Sequence, residues 1–365
     1  MRLHLYFALK FLRSFLVVTF IFFVILMLID LVEQLRRYSG ENVSFADTIG
    51  LSVLNVPTAI YTILPLLTII ATVTLFLGLS RTSELVVTRA AGRSALRSLM
   101  SPVLVAGLVG VIAIAAFNPI VAATQKQYEL RSAQFKDDTA SVLSISDEGL
   151  WLRQGGDAGQ TVIRAVRANL DGTTLQNVTF LTFSPDGTPT RRIEADSATL
   201  TLGAWTLLNA KEWELTGRLN PEQAARTYAS LAVATDLTRD RIQDSFGTPS
   251  AIPIWELPTF ISDLERAGFS AQSHRIWYQM ELALPLFLIA MVMIGAGFTM
   301  RHVRFGKTGQ MVLMAILTGF GLYFVRNFAQ VLGENGQIPI LLAAWAPPIA
   351  GICGSLALLL HLEDG

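Results

Sequence analysis

The tetrapeptide Gly306-Lys307-Thr308-Gly309 is the stretch of this sequence nearest to nucleotide chemistry. A phosphate-binding loop needs a glycine five residues before its Gly-Lys pair, a strand ahead of it and a helix behind. Position 301 is arginine and the preceding run is apolar, so Lys307 reads as an interfacial lysine in a turn. Neither Gly-x-Ser-x-Gly nor His-Glu-x-x-His occurs. The single cysteine, Cys353, sits in an apolar run, and His4, His274, His302 and His361 are scattered. That excludes a disulfide framework or a Cys-based metal site within one chain, and leaves no catalytic constellation. The chain is expected to be non-catalytic and to bind no cofactor; transport, binding or assembly fits better.

Two groups of residues remain. The first is basic. "IDLVEQLRRYSG" places Asp30, Glu33, Arg36 and Arg37 at the end of the first apolar run; Lys126 and Arg131 follow the third, and Arg326 lies in "LYFVRNFAQ" in the fifth. Ionisable groups at such depth usually face a cavity or a partner, and a guanidinium suits bidentate phosphate binding. Snorkelling anchors, or an internal ion pair such as Asp30–Arg326, are the alternative reading. The second group is "SELVVTRAAG", residues 83–92. Thr82 or Ser83 can cap a short helix there, Glu84 favours its N-terminal dipole, and Gly92 suits a left-handed end before Ser94 restarts a helix. Leu85, Val86 and Ala90 share an apolar arc, while Arg89, Arg93 and Arg97 recur every fourth residue. Such a helix lies on a membrane surface or seats in a partner's groove.

The elements that position these residues follow from composition. Of 365 residues, 52% are hydrophobic and only 15% charged, with mean hydropathy +0.48. This is the profile of a membrane protein with a polar portion. The formal net charge is +0, and no basic arm or aromatic-basic patch points to nucleic acid. The N-terminus resembles a signal peptide, but its apolar core is long and no small-residue cleavage site follows, so a retained span is expected. Six spans emerge in two groups of three: about 7–35, 51–79, 99–123, 276–300, 308–331 and 338–360. Arg2, Lys10 and Arg13, then Arg81, Arg89, Arg93 and Arg97, then Arg301, Arg304 and Lys307 fall on one side if the spans alternate. That side is expected to be cytoplasmic, with both termini inside.

Residues 125–250 then lie outside. There the pattern changes to period-two alternation in "TVIRAVRANL", "LQNVTFLTF", "TRRIEADSATLTL" and "AWTLLNAKEWEL". Turn signals at Asp171-Gly172, Asp186-Gly187 and Leu202-Gly203 separate these runs, and "RLNPEQ" closes the last clear one. The expectation is an all-β sandwich or jelly roll inserted in an α-helical polytopic membrane protein. Beyond it, Pro258 can open a short amphipathic helix carrying Phe260, Ile261 and Leu264 and closed by Gly268. This helix is expected at the outer membrane surface; a connector packed under the sandwich is the alternative. The organisation is thus 1–124 with the helix at 83–92, 125–250 as the β domain, and 251–365 with the amphipathic helix and last three spans.

"SELVVTRAAG" after a second span, "LRRYSG" after the first, a strand-rich domain after the third and "WYQMELALPLFLIAM" opening the fourth together resemble the LptF/LptG family of lipopolysaccharide-export permeases. The resemblance covers essentially the whole chain. Of the two paralogous groups, "DLVEQLRRYSG" and the "VP…ILPL" run look more like LptG. The resemblance implies a heterodimer with an LptF-like permease, driven by an LptB-like ATPase dimer that uses ATP and Mg. Lipopolysaccharide then passes from the Gram-negative inner membrane to a periplasmic β-jelly-roll bridge of LptC-like single-span and LptA-like proteins. It also implies that residues 83–92 are the coupling helix seated on the ATPase, with Glu84, Leu85, Val86 and Arg89 at the contact. Arg36 and Arg37 match the family's phosphate-contacting basic residues, with Lys126, Arg131 and Arg326 as further candidates. A lysine found slightly earlier in some members is Asp30 here, which puts phosphate binding at that position in doubt.

Two rivals from other classes stand beside this reading. A membrane-anchored adaptor would bind a periplasmic partner without transport. A secondary transporter needs broken helices and ionisable groups at the bilayer midplane, and the mid-span segments read as carrying neither.

Overall fold

Apolar runs long enough to cross a bilayer form helices because a helix satisfies every backbone N–H and C=O within its own segment. The computed structural model describes every residue except 1, 40–42, 91, 93, 136–143, 147–148, 157–158, 170–171, 202, 217–220, 236, 239–241, 243–247, 267–269, 301–307 and 365. Among the described residues, six helical stretches are long and apolar enough to span: Leu3–Arg37, Leu64–Arg81, Leu96–Ser132, Gln272–Thr299, Thr308–Glu334 and Ile340–His361. The chain is a helical polytopic membrane protein with an inserted β domain. Its helical unit comprises Met1–Phe135, Ser250–Trp255 and Gln272–Gly365; its β unit comprises Lys136–Pro249 and Glu256–Ala271.

α1 (Arg2–Arg37) contains no glycine or proline and runs without interruption. Phe7, Phe11, Phe15 and Val18, three to four residues apart, anchor its first half in the core of the helical unit. The second span, expected as one helix, is two. α2 (Phe45–Thr62), opened by a Ser44/Asp47 capping box, stops at Ile63, and α3 (Leu64–Arg81) begins there with a proline in its first turn. Pro65 has no N–H to donate to the previous turn, which explains the break. The short α4 (Glu84–Ala90) follows. Next come α5 (Ala95–Ile112), capped by Ser44's counterpart Ser94, a π-turn (Ala113–Phe117) and α6 (Asn118–Phe135). The third span therefore continues beyond residue 124, because "TQKQYELRSAQ" is polar yet made of good helix formers.

In the β unit, β1 (Ser144–Ser146), β2 (Gly149–Gly156), β3 (Gly159–Ala168), β4 (Thr174–Phe183), β5 (Pro189–Thr201), β6 (Ala204–Glu214) and β7 (Arg226–Ala234) pair antiparallel in chain order. The expected turns at Gly187 and Gly203 adopt φ 83° and 77°, a region open to glycine without strain. The strands make one meandering sheet; the pairing does not divide it into the two sheets of a sandwich. In a flat sheet β2 and β7 would lie about 24 Å apart, five strand spacings. Instead Thr235 Oγ1 donates to Gln154 Oε1 over 2.7 Å, so the sheet is rolled on itself at that end. Leu152, Ile163, Val178, Phe180, Ile193, Trp205 and Leu207 fill the roll.

α7 (Leu257–Arg266) is the expected amphipathic helix in a different place. Leu264, Phe260 and Ile261 pack into the core of the β unit, so its apolar face covers the roll and is not free to lie on a membrane. Gly268 lies outside the described residues. Three long helices complete the helical unit: α8 (Gln272–Thr299), α9 (Thr308–Glu334) and α10 (Ile340–Asp364). Small residues set their approach: a Cβ added at Gly110 of α5 would meet Pro285 Cα of α8 at 2.6 Å.

Candidate functional site

The C-terminal end of α1 gathers part of the basic set. Tyr128 of α6 accepts from Gln34 Nε2 at 3.0 Å and lies 3.4 Å from Arg37 Nη1. Arg131, one turn beyond Tyr128 on the same side of α6, reaches back to α2, where a Cβ on Gly50 would stand 3.5 Å from its Nη1. Arg37 thus meets α6 at Tyr128, and Arg131 of α6 meets α2 at Gly50. Arg36 pairs with Glu33 at 3.0 Å, with both side chains more than half exposed, which makes the pair weak. Lys126 is exposed and lies about 200° round the helix from Tyr128 at 100° per residue, on another face. Asp30 accepts from Asn55 Nδ2 at 2.7 Å, across the α1–α2 contact.

Arg326 is elsewhere. Its helix, α9, packs on α8, α10 and α3, whereas α1 packs on α2, α3 and α5. The guanidinium lies over the Phe287 ring, 5.4 Å from its centroid, and interacts electrostatically with Glu281 of α8 and Tyr61 of α2. The Asp30–Arg326 ion pair does not form; Asn55 and Glu281 are the nearer partners. Glu281 is 2% exposed. Its carboxylate accepts from the Tyr61 hydroxyl and hydrogen-bonds the Asn118 side chain. Asn118 also accepts the Ile254 N–H at 2.9 Å, and Tyr323 of α9 donates to Thr62 O at 3.3 Å. This polar cluster sits where the helices are irregular, beside the α2–α3 break and directly after the π-turn.

Sequence reasoning missed Glu281 because it lies inside the apolar run "WYQMELALPLFLIAM". As the tenth residue of α8 it is about 14 Å along the helix. The second apolar run is broken at Ile63, which the sequence did not show, and α8 carries a buried carboxylate within its apolar run. A lone acid in one span and a lone arginine in the next-following span were the available signal.

The third group is α4. Ser83 takes φ 57°, a left-handed turn between α3 and α4, so it does not cap in the ordinary extended form. Thr82 ends α3 and places Oγ1 2.8 Å from Glu84 Oε1. Glu84 is further bound by Lys10 Nζ at 2.8 Å and the Tyr6 hydroxyl at 2.8 Å, both on α1. Burial pushes the Glu84 carboxyl up, but donation from Lys10, Tyr6 and Thr82 outweighs it and holds the group below its ordinary value. Leu85, expected on the docking face, is 4% exposed in the chain's own core, and Thr88 beside it is also buried. The outward arc is Val86, Val87 and Ala90. Arg89 lies within α4; Arg93, Arg301, His302, Arg304, Gly306 and Lys307 lie outside the described residues. Gly92 adopts the expected left-handed conformation at φ 76°. Among the described residues no group of three or more His, Cys, Asp or Glu side chains is arranged to hold a metal ion.

A family model described as lipopolysaccharide export system permease LptF/LptG matches residues 5–361. A curated relative, the lipopolysaccharide export system permease protein LptG of Haemophilus influenzae, is 23% identical over 337 residues, covering 88% of each chain.

Proposed function

Because the chain belongs to the LptF/LptG family of lipopolysaccharide export permeases, we propose that it is one permease subunit of an ABC-type exporter that draws this lipid from the inner membrane and hands it to a periplasmic β bridge. One geometric observation carries the reading. α1 buries one face in its first half through Phe7, Phe11, Phe15 and Val18, exposes Phe20, Val24, Leu28, Ile29 and Val32 in its second, and then ends in Arg36 and Arg37. An apolar stripe closed by guanidinium groups matches acyl chains joined to a phosphorylated head group.

In this reading both termini and α4 are cytoplasmic, on the side of the basic clusters, and the β roll is periplasmic. An LptF-like permease faces the α1 stripe, and lipid enters laterally between them. Arg37, at Tyr128 of α6, and Arg131, one turn further along α6 and against Gly50 of α2, hold a phosphate, with Arg36 at the rim. Lys126, on the other face of α6, and Arg326, already engaged with Glu281, take lesser parts. Val86 and Val87 seat in a groove of an LptB-like ATPase that consumes ATP and Mg, with Arg89 in the same helix, Leu85 anchoring the helix from within and Glu84 bound to α1 at its inner edge. Closure of the ATPase dimer narrows the cavity and drives acyl chains towards the roll and on to LptC-like and LptA-like partners.

Photocrosslinking from position 32 to lipopolysaccharide tests the lipid site. Arg37→Glu with Arg131→Glu is expected to lower crosslinking several-fold in an assembled complex, each charge-assisted contact being worth about 1.5–3 kcal/mol. Lys126→Glu is expected to have the smaller effect. Unchanged crosslinking in the double variant would leave the arginines as membrane anchors.

A further inference from the structure

α4 is joined covalently to α3, which stops at the break at Ile63, and to α5, which continues through the π-turn at Ala113–Phe117 into α6. α1 is reached from α4 by side chains instead, and it runs unbroken: its 36 residues extend about 54 Å at 1.5 Å per residue, from the neighbourhood of α4 to Arg36 and Arg37.

The tie between α4 and α1 is made by side chains. Glu84 Oε1 is 2.8 Å from Lys10 Nζ and 2.8 Å from Thr82 Oγ1. Glu84 Oε2 is 2.8 Å from the Tyr6 hydroxyl and 2.9 Å from the same Lys10 Nζ. Lys10 also reaches the Tyr6 hydroxyl at 2.9 Å, one turn away on α1, so the three groups close a ring. His4 adds a 2.8 Å hydrogen bond to Ser101 of α5, fixing the first turn of α1 from a second side. The orientation of α4 agrees. With Leu85 and Thr88 buried and Val86, Val87 and Ala90 outward, a 100° step puts Glu84 at the edge of the inward arc, turned from the exposed face. Both carboxylate oxygens are already engaged within the chain.

We propose that Glu84 is a positioning residue that acts through Lys10 and Tyr6, pinning α4 to α1 so that displacement of α4 is delivered along α1 to its arginine end. The proposal rests on the exporter reading above and adds a route: Glu84 works by holding α1, and Val86 and Val87 meet the ATPase.

The test uses the complete exporter, with its second permease and ATPase, in proteoliposomes loaded with lipopolysaccharide. Three quantities are measured: ATPase subunit retained, ATP hydrolysed, and lipid delivered per ATP. Lys10→Met, Tyr6→Phe and Glu84→Gln are expected to lower lipid per ATP, with Lys10→Met losing roughly 5-fold or more. All three are expected to retain the ATPase. The exchange Lys10→Glu with Glu84→Lys is expected to restore coupling, a rescue that simple loss of packing would not give. Unchanged lipid per ATP in Lys10→Met overturns the pin while leaving the exporter reading intact. So does loss of ATPase retention in Glu84→Gln but not in Lys10→Met, which would place Glu84 on the ATPase itself. A wild-type assembly that retains no ATPase and moves no lipid overturns the functional reading, and the pin with it.

Discussion

Removing the Glu281 carboxylate would take the acceptor from the Tyr61 hydroxyl and the countercharge from Arg326 at once. Breaking one side of a buried charge cluster costs about 3–5 kcal/mol, because the partner stays behind uncompensated. Glu281→Ala is therefore expected to lower the thermal midpoint of the detergent-purified chain substantially, and Glu281→Met with Arg326→Met to recover much of the loss. A double variant no more stable than the single one would show that the charges are not paired. Glu84 gives a pH prediction of definite sign. A carboxyl held below its ordinary value of 4.5 stabilises the fold above that value and loses its contribution as pH falls through the depressed one. The α1–α4 distance, followed by spin labels at positions 3 and 87, is thus expected to stay constant from about pH 8 to about pH 6 and change only in acid. Single residues were legible in the sequence when their type was rare for their setting. Arg36, Arg37 and Glu84 stood at the ends of apolar runs, whereas Glu281 was hidden because its partners come from three other helices.

A helix shows which of its residues serve the fold and which face outward once its buried arc is known. For α4 that arc is Leu85 and Thr88. Leu85→Ala is expected to cost about 2–5 kcal/mol as a core truncation. Val86→Asp with Val87→Asp is expected to leave the thermal midpoint nearly unchanged but abolish ATPase capture in pull-down. If Leu85→Ala instead spares stability and loses capture, the assignment of faces is reversed. The same contrast separates two helical glycines. Gly110→Ala would set a Cβ 2.6 Å from Pro285 Cα and is expected to destabilise by about 1–3 kcal/mol. Gly78→Ala meets nothing within 4 Å and is expected to be neutral or slightly stabilising. Apolar length showed where the spans lie, but not the stop at Ile63 or the π-turn, which depend on how neighbouring backbones are satisfied. Four strands were plain from alternation. β1, β2 and β7 were not recognised, since β7 ("RTYASLAVA") is largely small residues and mostly exposed.

At the scale of the whole molecule, a helical unit and a rolled sheet share one chain, and the roll is fastened at one end by Gln154 and Thr235. Thr235→Ala is expected to remove about 0.5–1.5 kcal/mol and to speed amide exchange in β7 while leaving β4 and β5 protected. Uniform loss of protection would mean that the fastening is not local. The π-turn has a further consequence, best put as one of helical phase. Its ring, closed by Asn118 N–H on Ala113 O, encloses one residue more than an α-turn. A chain shortened by one residue there could close the ring as ordinary α-helix and keep α5 and α6 in phase, with Tyr128 and Arg131 facing as before. What would not survive is the carbonyl of Ala115, now receiving Trp255 Nε1 at 3.3 Å. The extra residue therefore works as a spacer: it leaves the heading of the third span alone and provides a mooring for the chain where it re-enters the helical unit.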